Sequence, residues 1–116
     1  MTFPDTVRQH HDNVRALRCA VSEQPNPTIH HCHGGSMAQA GYKSGGGQRG
    51  CGEALVIPLA HEYHVGDSGI DYGVGVVTWE FWYQDQMKHL EWVNEQLPYD
   101  IFELHEHWKQ NPPRRG

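Results

Sequence analysis

Ten histidines in a chain of 116 residues are the clearest sign of chemistry in this sequence. Five of them fall within one stretch of the chain: His30, His31, His33, His61 and His64. Imidazole is the commonest metal ligand in proteins, and it is the side chain whose ordinary pKa lies nearest to neutral pH. The cluster therefore predicts metal binding, proton transfer or both.

The elements around these histidines indicate how they are positioned. We predict a strand over Thr28–Cys32 and a buried strand over Ala54–Leu59, followed by a short helix that starts at His61. Adjacent side chains in a strand point to opposite faces, so His30 and His31 cannot normally reach one ion together. One imidazole is then available to a metal, with the helix supplying a further ligand, and the other can accept a proton from water. Hydrolysis requires this division of labour.

A glycine-rich segment separates the two predicted strands. Residues 33–52 hold eight of the thirteen glycines, which predicts a long exposed loop without regular structure. Lys43 and Arg49 in this loop are placed to lie along a phosphate backbone. The alternative is a disordered surface loop without that role.

Helices are predicted on both sides of this unit. The first begins near Thr2, with Pro4 in its first turn, and a long amphipathic helix runs from Thr78 to Leu97. Asp100 caps a last helix, after which residues 111–116 form a loose tail. The whole chain, residues 1–116, is interpreted as one α+β domain. The remaining histidines are interpreted as solvated or half-buried helix residues: His10, His11, His89, His105 and His107.

Composition and charge narrow the class of protein. The hydrophobic fraction is 37%, the formal net charge is −5, and no apolar run approaches the roughly 20 residues of a membrane span. With no recognisable secretory leader, we expect a soluble intracellular protein. The acidic balance counts against a nucleic-acid coat or a membrane-surface binder. Cys19, Cys32 and Cys51 are odd in number and form no C-x-x-C pair, which favours free thiols.

These residues together resemble the HNH endonucleases, and within them the phage recombination-enhancement nucleases and similar prophage proteins. The resemblance spans about residues 18–97 and continues into the TWE and QMKHLEWV segments of the long helix. It rests on IHHCHGGSM at Ile29–Met37, Gly47–Arg49, ALVIPLAHEYH at Ala54–His64 and Gly69–Asp71. It implies an α+β fold with a small ββα-metal core (18–75) and a long glycine-rich loop. N- and C-terminal helices, the latter over 78–110, would wrap this core.

The same resemblance implies a role for each candidate site residue. His30 and His64 would be metal ligands, Asp71 a further ligand, and His31 the general base that activates water. One divalent ion is implied, with Mg²⁺ or Mn²⁺ favoured because a carboxylate suits hard cations, and Zn²⁺ as a further candidate. No structural zinc is expected, because Cys19 alone remains of the four ligands that relatives place in two flanking knuckles.

The resulting prediction is a metal-dependent DNA endonuclease of phage or prophage origin, acting in the cytoplasm of a bacterial host cell. DNA is the expected partner, a host recombination protein is a further candidate, and no membrane is involved. Two alternatives stay open. One is a non-catalytic nucleic-acid-binding or recombination accessory protein on a degenerate HNH fold, motivated by the missing zinc ligands and the net charge. The other is a host-directed, protein-binding inhibitor that would use the acidic helical half.

Overall fold

The computed structural model describes residues 2–44 and 50–116. In this part of the chain it has two antiparallel strands and six helices, which confirms the predicted α+β class. The elements are, in chain order, α1 (Val7–Arg15), β1 (Thr28–His31), α2 (Gly35–Gln39), β2 (Val56–Leu59), α3 (His61–His64), α4 (Val76–Tyr83), α5 (Gln86–Gln96) and α6 (Ile101–Gln110).

The two strands form a ribbon at the centre of the molecule. Thr28 pairs with Leu59 and His31 with Val56, so both predicted strands are confirmed, each slightly shorter than expected. All four residues of β2 are buried. Helix α1 packs against both strands, and α5 packs against β2. Because helices cover β2 in this way, its sequence is a continuous apolar run without polar residues in alternation. The ribbon is thereby held rigid between helices.

Helix α1 begins later than predicted. Its N-cap is Thr6, not Thr2, since the Thr6 hydroxyl accepts from the Gln9 N–H at 3.1 Å and the Gln9 side chain accepts from Thr6 N–H. This reciprocal capping box satisfies two of the amide groups that a helix start leaves unpaired. The helix buries His10 and His11 against the ribbon, so the interpretation of these two as solvated or half-buried residues was wrong.

The glycine-rich segment is not wholly irregular, contrary to expectation. Helix α2 forms within it because Gly34 and Gly35 adopt positive φ angles of 63° and 46°, which turn the chain sharply after β1. Ser36 and Met37 are then buried. Local composition predicted a loop, but tertiary contacts stabilise one turn and a half of helix.

The single long helix predicted from Thr78 to Leu97 is two helices. Helix α4 starts after Gly75 rather than at Thr78. It ends before Gln84, where a φ of +89° interrupts the helical backbone. The Glu80 carboxylate accepts the Gln86 N–H at 2.8 Å across this break. The break lets Gln86 and His89 turn inward, so His89 is also buried rather than solvated.

The last residues are not a loose tail. Val7 N–H donates to Arg114 C=O at 2.9 Å, and Arg8 N–H donates to Arg115 C=O at 3.0 Å. Helix α6 begins as predicted, with the Asp100 carboxylate accepting from Phe102 N–H. Within residues 2–44 and 50–116, none of the helices has the length and apolar character that crossing a membrane would need.

Candidate metal centre

His30, His64 and Asp71 meet at one point beside the ribbon. His30 and Thr28 share a face of β1, His64 ends α3, and Asp71 lies in the turn that follows. Asp71 Oδ2 is 3.3 Å from His30 Nδ1 and 3.3 Å from His64 Nε2. One ligand atom from each residue lies within 4.8 Å of the others, which is a spacing compatible with one shared metal ion. The structure thus brings together all three residues that the sequence singled out as ligands.

The turn carrying Asp71 is held tightly against α3. Asp71 N–H donates to His64 C=O at 2.8 Å, and Ile70 N–H donates to Tyr63 C=O at 3.1 Å. A Cβ atom at Gly69 would lie 2.6 Å from the His64 carbonyl oxygen, so no larger residue fits there without a shift of the backbone. The Gly-Ile-Asp segment of the sequence therefore marks the close approach that places Asp71 beside His64.

Thr28 determines which nitrogen of His64 carries the proton. The Thr28 hydroxyl donates to Leu59 C=O at 2.8 Å and lies 2.7 Å from His64 Nδ1. A hydroxyl has one hydrogen to donate, so it accepts from Nδ1–H. Nε2 of His64 is then left with a lone pair directed at the Asp71 carboxylate. Metal-binding histidines commonly have such a partner on their second nitrogen.

His30 presents a buried nitrogen that needs a partner. The residue is fully buried, and within the described part of the chain its Nδ1 has no hydrogen-bond partner. Leaving a buried polar atom unpaired costs about 1–3 kcal/mol. A cation between His30 Nδ1, His64 Nε2 and Asp71 Oδ2 would satisfy all three atoms at once. On this ground the residues present fit a metal ion.

His33 is a fourth group at this centre that the sequence pattern did not predict. Its Nε2 lies 2.8 Å from Asp71 Oδ1, and this hydrogen bond raises the pKa of His33. Burial raises the pKa of Asp71, but hydrogen bonding, including the bond from His33, outweighs burial and holds that pKa well below its usual range. Asp71 is therefore a charged carboxylate at neutral pH. The sequence signal that could have identified His33 is its place as the third histidine of the segment IHHCH.

His31 lies on the other face of β1, as strand alternation requires. Its Nε2 is 2.6 Å from Glu53 Oε1, and its ring lies 5.5 Å from that of His11. Glu53 also pairs with Arg115 through its second carboxylate oxygen. The structure therefore separates His31 from the three converging ligands and gives it a carboxylate partner, Glu53, that no sequence pattern had indicated.

His11, His31 and Glu53 form a second group with metal-like spacing, but its hydrogen bonding is different. His11 Nε2 lies 3.0 Å from the Glu53 carbonyl oxygen, which can only accept, so His11 donates there. Burial and the neighbouring charge of His31 lower the pKa of His11 to about 4. Both carboxylate oxygens of Glu53 have hydrogen-bond partners, His31 and Arg115, whereas among the described residues Asp71 has such a partner, His33, on Oδ1 alone.

The remaining candidate residues are the two basic residues of the glycine-rich segment and Cys19. Lys43 is exposed in the segment after α2, and Arg49 falls outside the described residues. Cys19 is buried, and its sulfur accepts the N–H groups of Ser22 at 3.4 Å and Ala60 at 3.2 Å. That the fold needs no structural zinc stays a prediction.

Comparison of this chain with protein-family models, with curated proteins and with solved structures gives no match.

Proposed function

We propose that this protein is a divalent-metal-dependent DNA endonuclease of the HNH type. The observation that carries the proposal is the convergence of His30 Nδ1, His64 Nε2 and Asp71 Oδ2, in which the buried His30 nitrogen has no hydrogen-bond partner among the described residues. Two of the three come from β1 and α3, which stand before and after β2 in the chain, with α2 inserted between the two strands. This arrangement agrees with a ββα-metal core as the resemblance implies it.

The donor set bears on the choice of metal. Two imidazoles and one carboxylate suit Mn²⁺ or Zn²⁺ better than Mg²⁺, which prefers oxygen ligands and retains its waters. A divalent ion held by His30, His64 and Asp71 would supply positive charge to a phosphodiester oxygen in the transition state.

His31 is proposed as the general base. The Glu53 carboxylate, 2.6 Å from His31 Nε2, orients the ring and stabilises the imidazolium that forms when the base takes a proton from water. Exposed Lys43, and Arg49 as the sequence of the glycine-rich segment predicts, would contact flanking phosphates.

Nicking of supercoiled plasmid with Mg²⁺, Mn²⁺ or Zn²⁺, together with calorimetric metal titration, tests this proposal. We expect His31→Ala to keep metal affinity while cleavage falls about 10²–10⁴-fold, the usual contribution of a general base. His30→Ala removes a ligand and loses metal affinity first. His61→Ala, at an exposed histidine of the same α3, is the matched control and leaves both quantities unchanged.

Two outcomes would contradict parts of the proposal. Loss of metal binding in His31→Ala but not in His30→Ala reverses the two roles. Unchanged nicking in both variants, each shown to be folded by thermal melting, rules out cleavage at this centre.

A specific observation favours a second candidate, the non-catalytic accessory protein. Glu53 joins His31 on β1, His11 on α1 and Arg115 near the end of the chain. Such a cross-link can serve the fold alone, with His31 as a structural residue. A protein that binds DNA and metal but nicks under none of the three metals would support this candidate.

A further inference from the structure

We propose that Gln86 is the positioning residue that selects the tautomer of His30 and so keeps Nδ1 free of a proton for the metal. The inference rests on the proposed function, because it deepens the account of that metal centre. Gln86 lies at the start of α5, far from His30 in sequence, and is fully buried. Its side-chain oxygen is 2.9 Å from His30 Nε2.

The orientation of the Gln86 amide is fixed by its other partners. Its Nε2 donates to His33 C=O at 2.8 Å and to Glu80 Oε2 at 3.3 Å, and both of these atoms can only accept. Its Oε1 accepts His33 N–H at 3.0 Å. A flipped amide would set oxygen against two acceptors and N–H against a donor. Oε1 must therefore face His30, and His30 must donate to it from Nε2.

Glu80 helps to hold the Gln86 amide in this orientation. Its carboxylate accepts the Ser36 N–H at 3.0 Å, the Ser36 hydroxyl, and the Gln86 N–H at 2.8 Å. Burial raises the pKa of Glu80, but these hydrogen bonds outweigh it and lower the pKa, so the group stays an acceptor-only carboxylate. The break between α4 and α5 is what brings Glu80 and Gln86 together.

Without the Gln86 oxygen, the proton of the neutral His30 ring is more stable on Nδ1 than on Nε2. Asp71 Oδ2 lies 3.3 Å from His30 Nδ1 and would accept an Nδ1–H. The metal-free centre would then be satisfied internally, and an entering ion would have to displace that proton. Loss of such a partner typically lowers metal affinity 10–100-fold.

The test is the proton position on His30 in the metal-free protein, read from ¹H–¹⁵N spectra of ¹⁵N-histidine-labelled chain. At about pH 8, above the ordinary histidine pKa, we expect the Nε2–H tautomer in the wild type. In Gln86→Met we expect a shift to Nδ1–H and a 10–100-fold weaker Mn²⁺ affinity by calorimetry. Gln96→Met is the control, because it makes the same exchange at an exposed glutamine of α5, and both readouts stay unchanged.

An Nδ1–H tautomer in the wild type overturns the inference, and that spectrum decides even if Gln86→Met does not fold. A loss of affinity in Gln86→Met with His30 in the same tautomer as in the wild type reduces Gln86 to a structural role. The spectra need neither DNA nor turnover. A protein with the expected tautomer shift but no nicking refutes the nuclease proposal alone, and nicking with the wrong tautomer refutes this inference alone.

Discussion

Individual histidines in this chain do different work according to what each ring nitrogen faces. His10 is fully buried, with Nε2 3.0 Å from Ala54 C=O and Nδ1 2.7 Å from the Tyr99 hydroxyl. The carbonyl can only accept, so Nε2 donates and Nδ1 accepts from Tyr99. His10 is therefore a neutral residue with both nitrogens satisfied, unlike His30, whose Nδ1 is unpaired in the described structure.

The neutral state of His10 predicts that the fold weakens in acid. Burial lowers its pKa from 6.5 to about 4, with a smaller opposing effect from the hydrogen bond to Ala54 C=O. Above pH 6.5 neither the folded nor the unfolded state binds this proton. Between pH 6.5 and 4 the unfolded chain binds it first, so the free energy of unfolding falls by about 3 kcal/mol.

Urea unfolding at several pH values measures this loss. His10→Gln is the matched variant, because an amide can donate to Ala54 C=O and accept from Tyr99 without titrating. We expect its unfolding free energy to depend less steeply on pH than that of the wild type. Identical pH profiles for the two proteins would show that another group is responsible.

Among the elements, the break between α4 and α5 has the largest consequence for the site. Hydrophobic spacing from Trp79 to Val93 is helical throughout, and both residues are indeed buried. The break is set by Gln84, whose φ of +89° and ψ of 155° lie in a region that glycine alone adopts readily. The bonds between Glu80 and Gln86 across it offset that strain.

Gln84→Gly should therefore stabilise the protein. Glycine adopts this backbone conformation without strain, and we expect the free energy of unfolding to rise by about 1 kcal/mol. Lys88→Gly, at an exposed position inside α5, is the control and should lower it by a similar amount. Chemical denaturation of both variants gives the comparison. A loss of stability in Gln84→Gly would mean that the break carries no strain.

Element patterns predict the site better than they predict its surroundings. The resemblance names His30, His64 and Asp71, and the structure brings these three residues together, while their role as metal ligands stays a prediction. The sequence does not predict the roles of Glu53 and Gln86, because neither residue belongs to a recognisable pattern. Glu53 lies 22 residues from His31 in the chain, and Gln86 lies 56 residues from His30. Helix α2 is not predicted either, because it depends on distant contacts. The Ser36 N–H donates to Glu80, which lies on another helix.

At the scale of the whole molecule, the two ends of the described chain are joined. Val7 and Arg8 occupy the first turn of α1, where backbone N–H groups have no partner within the helix. The carbonyl oxygens of Arg114 and Arg115 accept from them at 2.9 and 3.0 Å. The Arg115 side chain continues to Glu53, beside β2. Residues after α6 thus cap the first helix and reach the partner of His31.

Deleting residues 112–116 should destabilise the fold without abolishing metal binding. Two backbone hydrogen bonds are lost, each with a net contribution of about 0.5–1.5 kcal/mol, so we expect unfolding to become about 2 kcal/mol easier. Arg114→Ala keeps the backbone bonds and should have little effect. Arg115→Ala removes an ion pair whose arginine is largely exposed, and should cost less than about 1 kcal/mol. Because His30, His64 and Asp71 contact none of these residues in the hydrogen bonds and ion pairs described, calorimetric Mn²⁺ affinity should be unchanged in all three proteins.

Unchanged urea stability after the deletion would show that water replaces the tail at the start of α1. A parallel loss of metal affinity would instead show that the Glu53 cross-link also holds the ligand side of the ribbon in place.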